Sequence, residues 1–167
     1  MYACVETTVE PPNRFSFILP PNNRPLLRIA LVTGAGGALG LATILQFAQD
    51  GVTQIAGLDI SAPSLSKAAT TLLEAFPTVS FLPLNVDLTQ EEAVEKAIEA
   101  VVAKFGRIDY AVNNAAVGQK LGPTSETDLS EYDRVLSVNL RAVLICEKYE
   151  LRQMEKQEPL VGRDTCL

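Results

Sequence analysis

Between positions 28 and 155 the chain alternates two apolar patterns. Short unbroken apolar runs are each followed by a longer stretch with apolar residues at every third or fourth position. Ile29, Ala30, Leu31 and Val32 form the first run and stop at Thr33-Gly34, as a strand buried on both faces does. Residues 39–49 then predict a helix with Leu41, Ile44, Leu45 and Ala48 on one stripe, closed by Gly51. The cycle repeats. Residues 55–58 predict a second strand ending at Asp59, and 64–76 a helix striped by Leu65, Ala68, Leu72 and Ala75 and stopped by Pro77. Residues 79–84 predict a third strand. Thr89 and Glu92 have the spacing of a capping box ahead of a helix carrying Val94, Ala97, Ile98, Val101 and Val102 up to Gly106. Residues 108–112 predict a fourth strand. Ser130 is the expected cap of one longer helix with Val135, Val138, Leu140, Val143 and Leu144 as its apolar members. Strands joined through helices run parallel with right-handed crossovers, so the expected fold is a three-layer α/β Rossmann-type parallel sheet of about four strands.

The flanks lack this pattern. Residues 1–26 contain Pro11, Pro12, Pro20, Pro21 and Pro25 and are expected to form a flexible extension; 27–156 form the domain, and 157–167 an irregular tail. A chain of 167 residues with 47% hydrophobic and 20% charged residues suits one globular domain. The net charge of −6 disfavours nucleic acid as a partner. No apolar run reaches membrane-spanning length, and the opening residues do not read as a signal peptide, so a cytoplasmic location without membrane contact is expected. Cys4, Cys146 and Cys166 are isolated and histidine is absent, so neither a metal site nor a His-based nucleophilic pair is expected.

Chemistry concentrates where strands hand over to helices. Thr33, Gly34, Ala35, Gly36, Gly37, Ala38, Leu39 and Gly40 form a glycine-rich loop between the first strand and the first helix, where backbone N–H groups and the helix dipole suit a pyrophosphate. Taken alone, such a loop reads equally as a tight turn. About twenty residues on, Asp59 closes the second strand, the place from which a carboxylate accepts hydrogen bonds from an adenine ribose. Taken alone, Asp59 reads as a solvated loop carboxylate. Together they point to a dinucleotide cofactor, with Ile60 beside it. A carboxylate there repels a 2′-phosphate, which favours NAD over NADP.

These residues resemble the short-chain dehydrogenase/reductase family, whose glycine signature reads T-G-x-x-x-G-x-G. Thr33, Gly34 and Gly40 match it, and Ala38 stands where the family has its middle glycine. Asp87-Leu88 resembles the pair that touches the adenine ring. Asn113-Asn114-Ala115-Ala116 is similar to the family's N-N-A-G, with Ala116 for the glycine, and the resemblance implies that Asn114, Ala115 and Ala116 line the cofactor ribose. Asn139 resembles the family's helix asparagine, which implies a role in holding a kink and a relay water. Mid-helix Asn has poor propensity, though a solvent-facing Asn reads as well.

The resemblance implies an NAD(P)-dependent oxidoreductase acting on a small-molecule alcohol or ketone. It also implies a catalytic Ser and a Tyr-x-x-x-Lys, in which Lys and the nicotinamide charge lower the Tyr pKa. No such pair is found: Tyr110, Tyr132 and Tyr149 are followed four residues on by Asn114, Leu136 and Gln153. Asn139 is the one expected catalytic residue present. The chain therefore reads as truncated before its catalytic residues, with impaired or absent turnover, or as a non-catalytic nucleotide-binding module. The fourth strand is expected to form an apolar sheet edge that favours a homo- or hetero-oligomer, including pairing with a full-length relative.

Overall fold

The structure is a computed structural model and describes residues 26–158. The N-terminal extension lies outside the described residues except for Leu26, which already belongs to a strand, and so does the tail from 159 onward.

Four strands, β1 (Leu26–Thr33), β2 (Val52–Asp59), β3 (Ser80–Asn85) and β4 (Tyr110–Val112), form one sheet in the order β3-β2-β1-β4. Every pairing is parallel, with Ala30 opposite Ile55 on one side and Tyr110 on the other, and Ile55 opposite Phe81. The central strands β1 and β2 are apolar on both faces because both faces are covered. Pro83 is tolerated in β3 because that strand is an edge, where a missing N–H breaks no ladder.

Helices α1 (Ala38–Gln49) and α2 (Ala62–Ala75) cover one face, burying Ile44, Phe47, Leu65, Ala68 and Leu72 against Ala30, Val32 and Ile55. On the other face α3 (Glu91–Phe105) and α5 (Val143–Met154) bury Val94, Ile98, Val101, Ile145 and Cys146 against Ile29, Leu31 and Leu58. The ends of the helices follow local chemistry. The Ser61 hydroxyl accepts a bond from Ser64 N at the start of α2, and Gly106 closes α3 at φ +87°, where a side chain would strain the turn.

Four expectations are corrected. The Thr89–Glu92 capping box does not form: α3 starts after Gln90, and the Thr89 hydroxyl instead donates to Asp87 Oδ1 at 2.7 Å. Ser130 is not the cap of the next helix, α4 (Leu129–Leu136). Asp128 is, its carboxylate accepting from Ser130 N at 2.9 Å. The single long helix is three pieces, because a π-helical segment, Ser137–Ala142, separates α4 from α5. Ser137 Oγ donates to Arg134 O at 2.8 Å and competes for that carbonyl with the α-helical ladder. The wider turn rotates the buried face, so Ala142, Ile145 and Cys146 are buried while Leu140 and Leu144 are each 66% exposed. The fourth strand is also shorter than expected. Ile108 lies before it, fully buried, with its N–H and C=O bracketed by the Gln157 side chain at 2.7 and 2.8 Å.

Candidate functional site

All four strands end on the same side of the sheet, so the residues singled out from the sequence meet there. Thr33 ends β1 with its side chain buried and acts as the hub. Its Oγ1 accepts from Ala115 N at 3.1 Å, and its carbonyl accepts from Asn114 Nδ2 at 3.0 Å. The 114–115 turn after β4 is thereby tied across to β1. Gly34 adopts φ +67°, and a Cβ there would lie 2.9 Å from Ala115 Cα, so both the conformation and the close approach require glycine.

The glycine loop doubles back on itself. Gly37 N donates to Gly34 O at 3.1 Å, and Ala35 N reaches Leu58 O on β2 at 3.1 Å. Gly40, already inside α1, packs so close that a Cβ would sit 2.0 Å from Gly34 O. Gly37 caps α1 without a side chain, and no acidic residue occupies the first turn. The N–H groups of Ala38, Leu39 and Gly40 are the leading donors that an α-helix leaves without intrahelical partners, and with the helix dipole they form an anion-attracting end. Gly37, Ala38 and Leu39 are exposed there.

Asp59 is built into this loop. Its Oδ2 accepts from Gly36 N at 2.9 Å and its Oδ1 from Ser61 N at 2.8 Å, so one carboxylate joins the tip of β2, the glycine loop and the approach to α2. Ile60, next to it, is 70% exposed, an apolar side chain left uncovered beside Asp59. The β2 tip is further held by Asn85, whose Nδ2 donates to Asp59 O at 2.9 Å and Ile60 O at 2.8 Å. Sequence reasoning missed Asn85. The available signal was an Asn closing a strand that neighbours the one ending in Asp59.

Asp87 and Leu88 follow β3, and Val86 N donates to Asp59 O at 3.0 Å, which places them beside the tip of β2. Asp87 Oδ1 accepts from both the N–H and the hydroxyl of Thr89, while the Leu88 side chain is buried in the core. Asn139 lies in the π-helical segment. Its Oδ1 accepts from Val117 N at 2.8 Å and its Nδ2 donates to Val117 O at 2.9 Å, so the amide clasps one residue of the loop that continues from Ala116. Arg134 holds the next residue through Gly118 O at 2.8 Å while bonded to Glu131. Hydrogen bonds and short stretches of chain therefore join these residues into one rim, from Asp87 through Asp59 and the glycine loop to Asn114, Ala115 and Asn139. Ala116 lies on it and is exposed.

Behind the rim Asn113 Nδ2 donates to Glu150 Oε2 at 2.9 Å. Sequence reasoning missed Glu150, although its place four residues after Cys146 and before Met154 puts it on the inner side of α5. Among the described residues no group of His, Cys, Asp and Glu could hold a metal ion, and no helix is long and apolar enough to cross a membrane.

Comparison with known proteins gives the family and the fold. The short chain dehydrogenase family profile matches residues 28–159. Levodione reductase of Leifsonia aquatica is 34% identical over 137 residues, covering 82% of this chain and 51% of that protein. The short-chain dehydrogenase fogB of Aspergillus ruber is 36% identical over 133 residues, covering 78% and 49%. Among solved structures, levodione reductase superposes with a TM-score of 0.76 at 34% identity, over 80% of this chain and 51% of that one. NAD+-bound xylitol dehydrogenase gives 0.72 at 36% identity, over 76% and 48%. The chain spans about half the length of the curated relatives it matches. Its parallel sheet and the profile match over nearly all described residues make it a member of the short chain dehydrogenase family of oxidoreductases, whose fold it shares over the part it contains.

Proposed function

We propose that this chain binds NAD(H) at the strand-end cleft and, by itself, does not carry the hydride transfer to completion. The observation that carries the reading is the bond from Gly36 N to Asp59 Oδ2, which locks an acidic side chain onto a glycine loop that opens a helix. The residues fit the group. The uncapped N–H donors of Ala38, Leu39 and Gly40 suit the diphosphate. Asp59 suits the ribose hydroxyls and disfavours a 2′-phosphate, which selects NAD over NADP. The Asp87 carboxylate and the Leu88 backbone would face the adenine, and Asn114, Ala115 and Ala116 the second ribose. When bound, the dinucleotide supplies the hydride donor or acceptor. Asn139, through its clasp on Val117, holds the loop at the nicotinamide end, and the substrate is an alcohol or ketone of a small molecule.

Turnover requires a proton acceptor of lowered pKa, which relatives of this type supply through Tyr-x-x-x-Lys, and none of this chain's tyrosines has that spacing. Titration with NADH and NADPH tests the reading. NADH should raise the melting temperature, since a ligand bound only by the folded state stabilises it, and NADPH should do so less. Equal shifts would remove the role given to Asp59, and no shift with either would sink the proposal. Alcohol oxidation at rates normal for the family would contradict the missing proton acceptor.

A second reading, a non-catalytic module that pairs with a second copy or a full-length relative, is favoured by one feature. Among the described residues β4 pairs only with β1, and Leu129, Tyr132, Leu136, Leu140, Leu144 and Leu151 are exposed along α4 to α5. Size-exclusion chromatography separates the two readings, because a well-folded strict monomer excludes such pairing.

A further inference from the structure

Helix α5 turns Ile145 and Cys146 toward the sheet, and Glu150 follows Cys146 by one helical turn on that side. Glu150 is only 3% exposed. Its Oε2 accepts the bond from Asn113 Nδ2, but its Oε1 and Asn113 Oδ1 are buried with no hydrogen-bond partner among the described residues. No Lys or Arg nitrogen among those residues lies within ion-pair distance of it. A buried carboxylate with one N–H donor and no cation is strongly disfavoured in its charged form.

We propose that Glu150 is a positioning residue: it is held in the fold as the neutral acid, its Oε1–H donating to Asn113 Oδ1, and the closed acid–amide ring fixes the turn that lines the dinucleotide cleft. A carboxylic acid and a primary amide already joined by one N–H···O bond close a planar ring through a second, O–H···O bond. The two oxygens that this bond joins are the two left orphaned here, so one proton satisfies both. Asn113 is followed directly by Asn114 and Ala115, which bond Thr33 O and Thr33 Oγ1. A loss of the ring therefore loosens the strand-end turn at its base. The inference rests on the dinucleotide reading only for what the turn faces.

Burial is the main reason the Glu150 carboxyl sits above its ordinary range; the charge of Glu147 adds to it, and the Asn113 N–H opposes it. Cys146 is the other ionisable neighbour on α5. On α3, Glu91 is engaged by Lys148 and Tyr149, while Glu95 and Glu99 share a groove with Arg152 and Lys156. Arg141 of the π-helical segment bonds Thr89 O, and before β4 Arg107 pairs with Asp109. A raised folded pKa gives stability that is full below the ordinary carboxylate range and is lost as pH rises through the folded value.

The test compares the full chain with Glu150→Gln, which keeps an acceptor and supplies permanent N–H donors, and with Glu150→Ala. Melting temperature and amide exchange at Asn114 and Ala115 are measured from about pH 5 to about pH 8, above the ordinary carboxylate range. In the parent chain the melting temperature should fall with rising pH, and Ala115 should lose about 10-fold in protection. Glu150→Gln should remain flat in both and melt above the parent at the upper pH, while Glu150→Ala should be loosened throughout. The proposal is overturned if Glu150→Gln melts below the parent at the upper pH, or if the two share one pH profile. Should Glu150→Ala fail to fold, the Gln comparison decides alone. NADH is then added. No shift in any variant sinks the dinucleotide reading and leaves the ring to be judged by the melts and exchange. NADH affinity with the same pH dependence in parent and Gln variant overturns the positioning role.

Discussion

Gly40→Ala puts the loop geometry to a quantitative test. The position lies in the first turn of α1, where replacing Gly by Ala would stabilise an unobstructed helix by up to about 1 kcal/mol. Here the added methyl would lie 2.0 Å from Gly34 O, 2.7 Å from Gly34 C and 2.8 Å from Ala35 Cα. All three atoms are backbone, and Gly34 is itself held against Ala115, so no flexible side chain can yield. Overpacking of this kind costs about 1–3 kcal/mol, which exceeds the propensity gain over most of its range. At about 2–4 °C per kcal/mol for a chain of this size, the net effect is a melting temperature lower by up to roughly 8 °C. Displacement of α1 also moves the Ala38 and Leu39 N–H groups, so NADH should no longer raise the melting point. Gly37→Ala is the control. Gly37 is exposed, its φ is −76°, and its Cβ would meet only Gly34 O, at 3.3 Å, so the loss should be limited to the N-cap preference for Gly over Ala, within about 1 kcal/mol of the parent, and NADH should still raise its melting point. Thermal melts of both variants, with and without NADH, decide the matter. A Gly40→Ala protein that melts at or above the parent, or a pair of variants that behave alike, would refute the argument.

Other substitutions probe separate links. Asn139→Ala removes both bonds to Val117, each worth about 1 kcal/mol, and should speed proteolysis in the 117–128 loop while leaving exchange in the β1 core unchanged. The Cys146 thiol is pushed up to about 12, chiefly by burial. Since burial is the largest cause, Cys146 should stay unlabelled by maleimide in the native protein at neutral pH and react once urea unfolds it, as peptide mapping would show. Glu91 is held below the ordinary carboxylate range, chiefly by the Lys148 hydrogen bond and then by Tyr149. A lowered folded pKa gives stability that is present above the ordinary range and lost as pH falls through the folded value. Lys148→Met should therefore flatten the acid limb of a stability–pH curve, and an unchanged limb would show that this exposed pair contributes nothing.

The sheet was legible because its two central strands are buried on both faces. The run of Ile29, Ala30, Leu31 and Val32 has no polar interruption, and only a strand covered by helices on both sides reads that way. The helices on either side announced themselves through Leu65, Ala68 and Leu72 or Val94, Ala97, Ile98 and Val101, which are buried as their spacing implies. The end signals misled where two polar residues competed for one job. Thr89 and Glu92 have capping-box spacing, but Asp87 captures the Thr89 hydroxyl first; Ser130 is a good cap by type, yet Asp128 stands two residues ahead and takes its N–H. Both outcomes follow local rules, and the sequence offers both at once.

The region from 129 to 154 resisted reading for a different reason. A π-helical segment shifts the phase of everything after it, so a 3.6-residue stripe drawn through Leu140 and Leu144 selects the face that ends up exposed. Its consequences are local to the site. The widened turn carries Asn139 with its amide clasped to Val117, and it brings Cys146 and Glu150 onto the side facing the sheet and Asn113. Eleven residues make about three turns of an α-helix, so an unbroken helix would put Asn139 and Glu150 on one face, whereas the π-helical segment turns them apart. The phase shift that defeats periodicity is thus the device by which one helical stretch serves both ends of the loop that starts at Asn113.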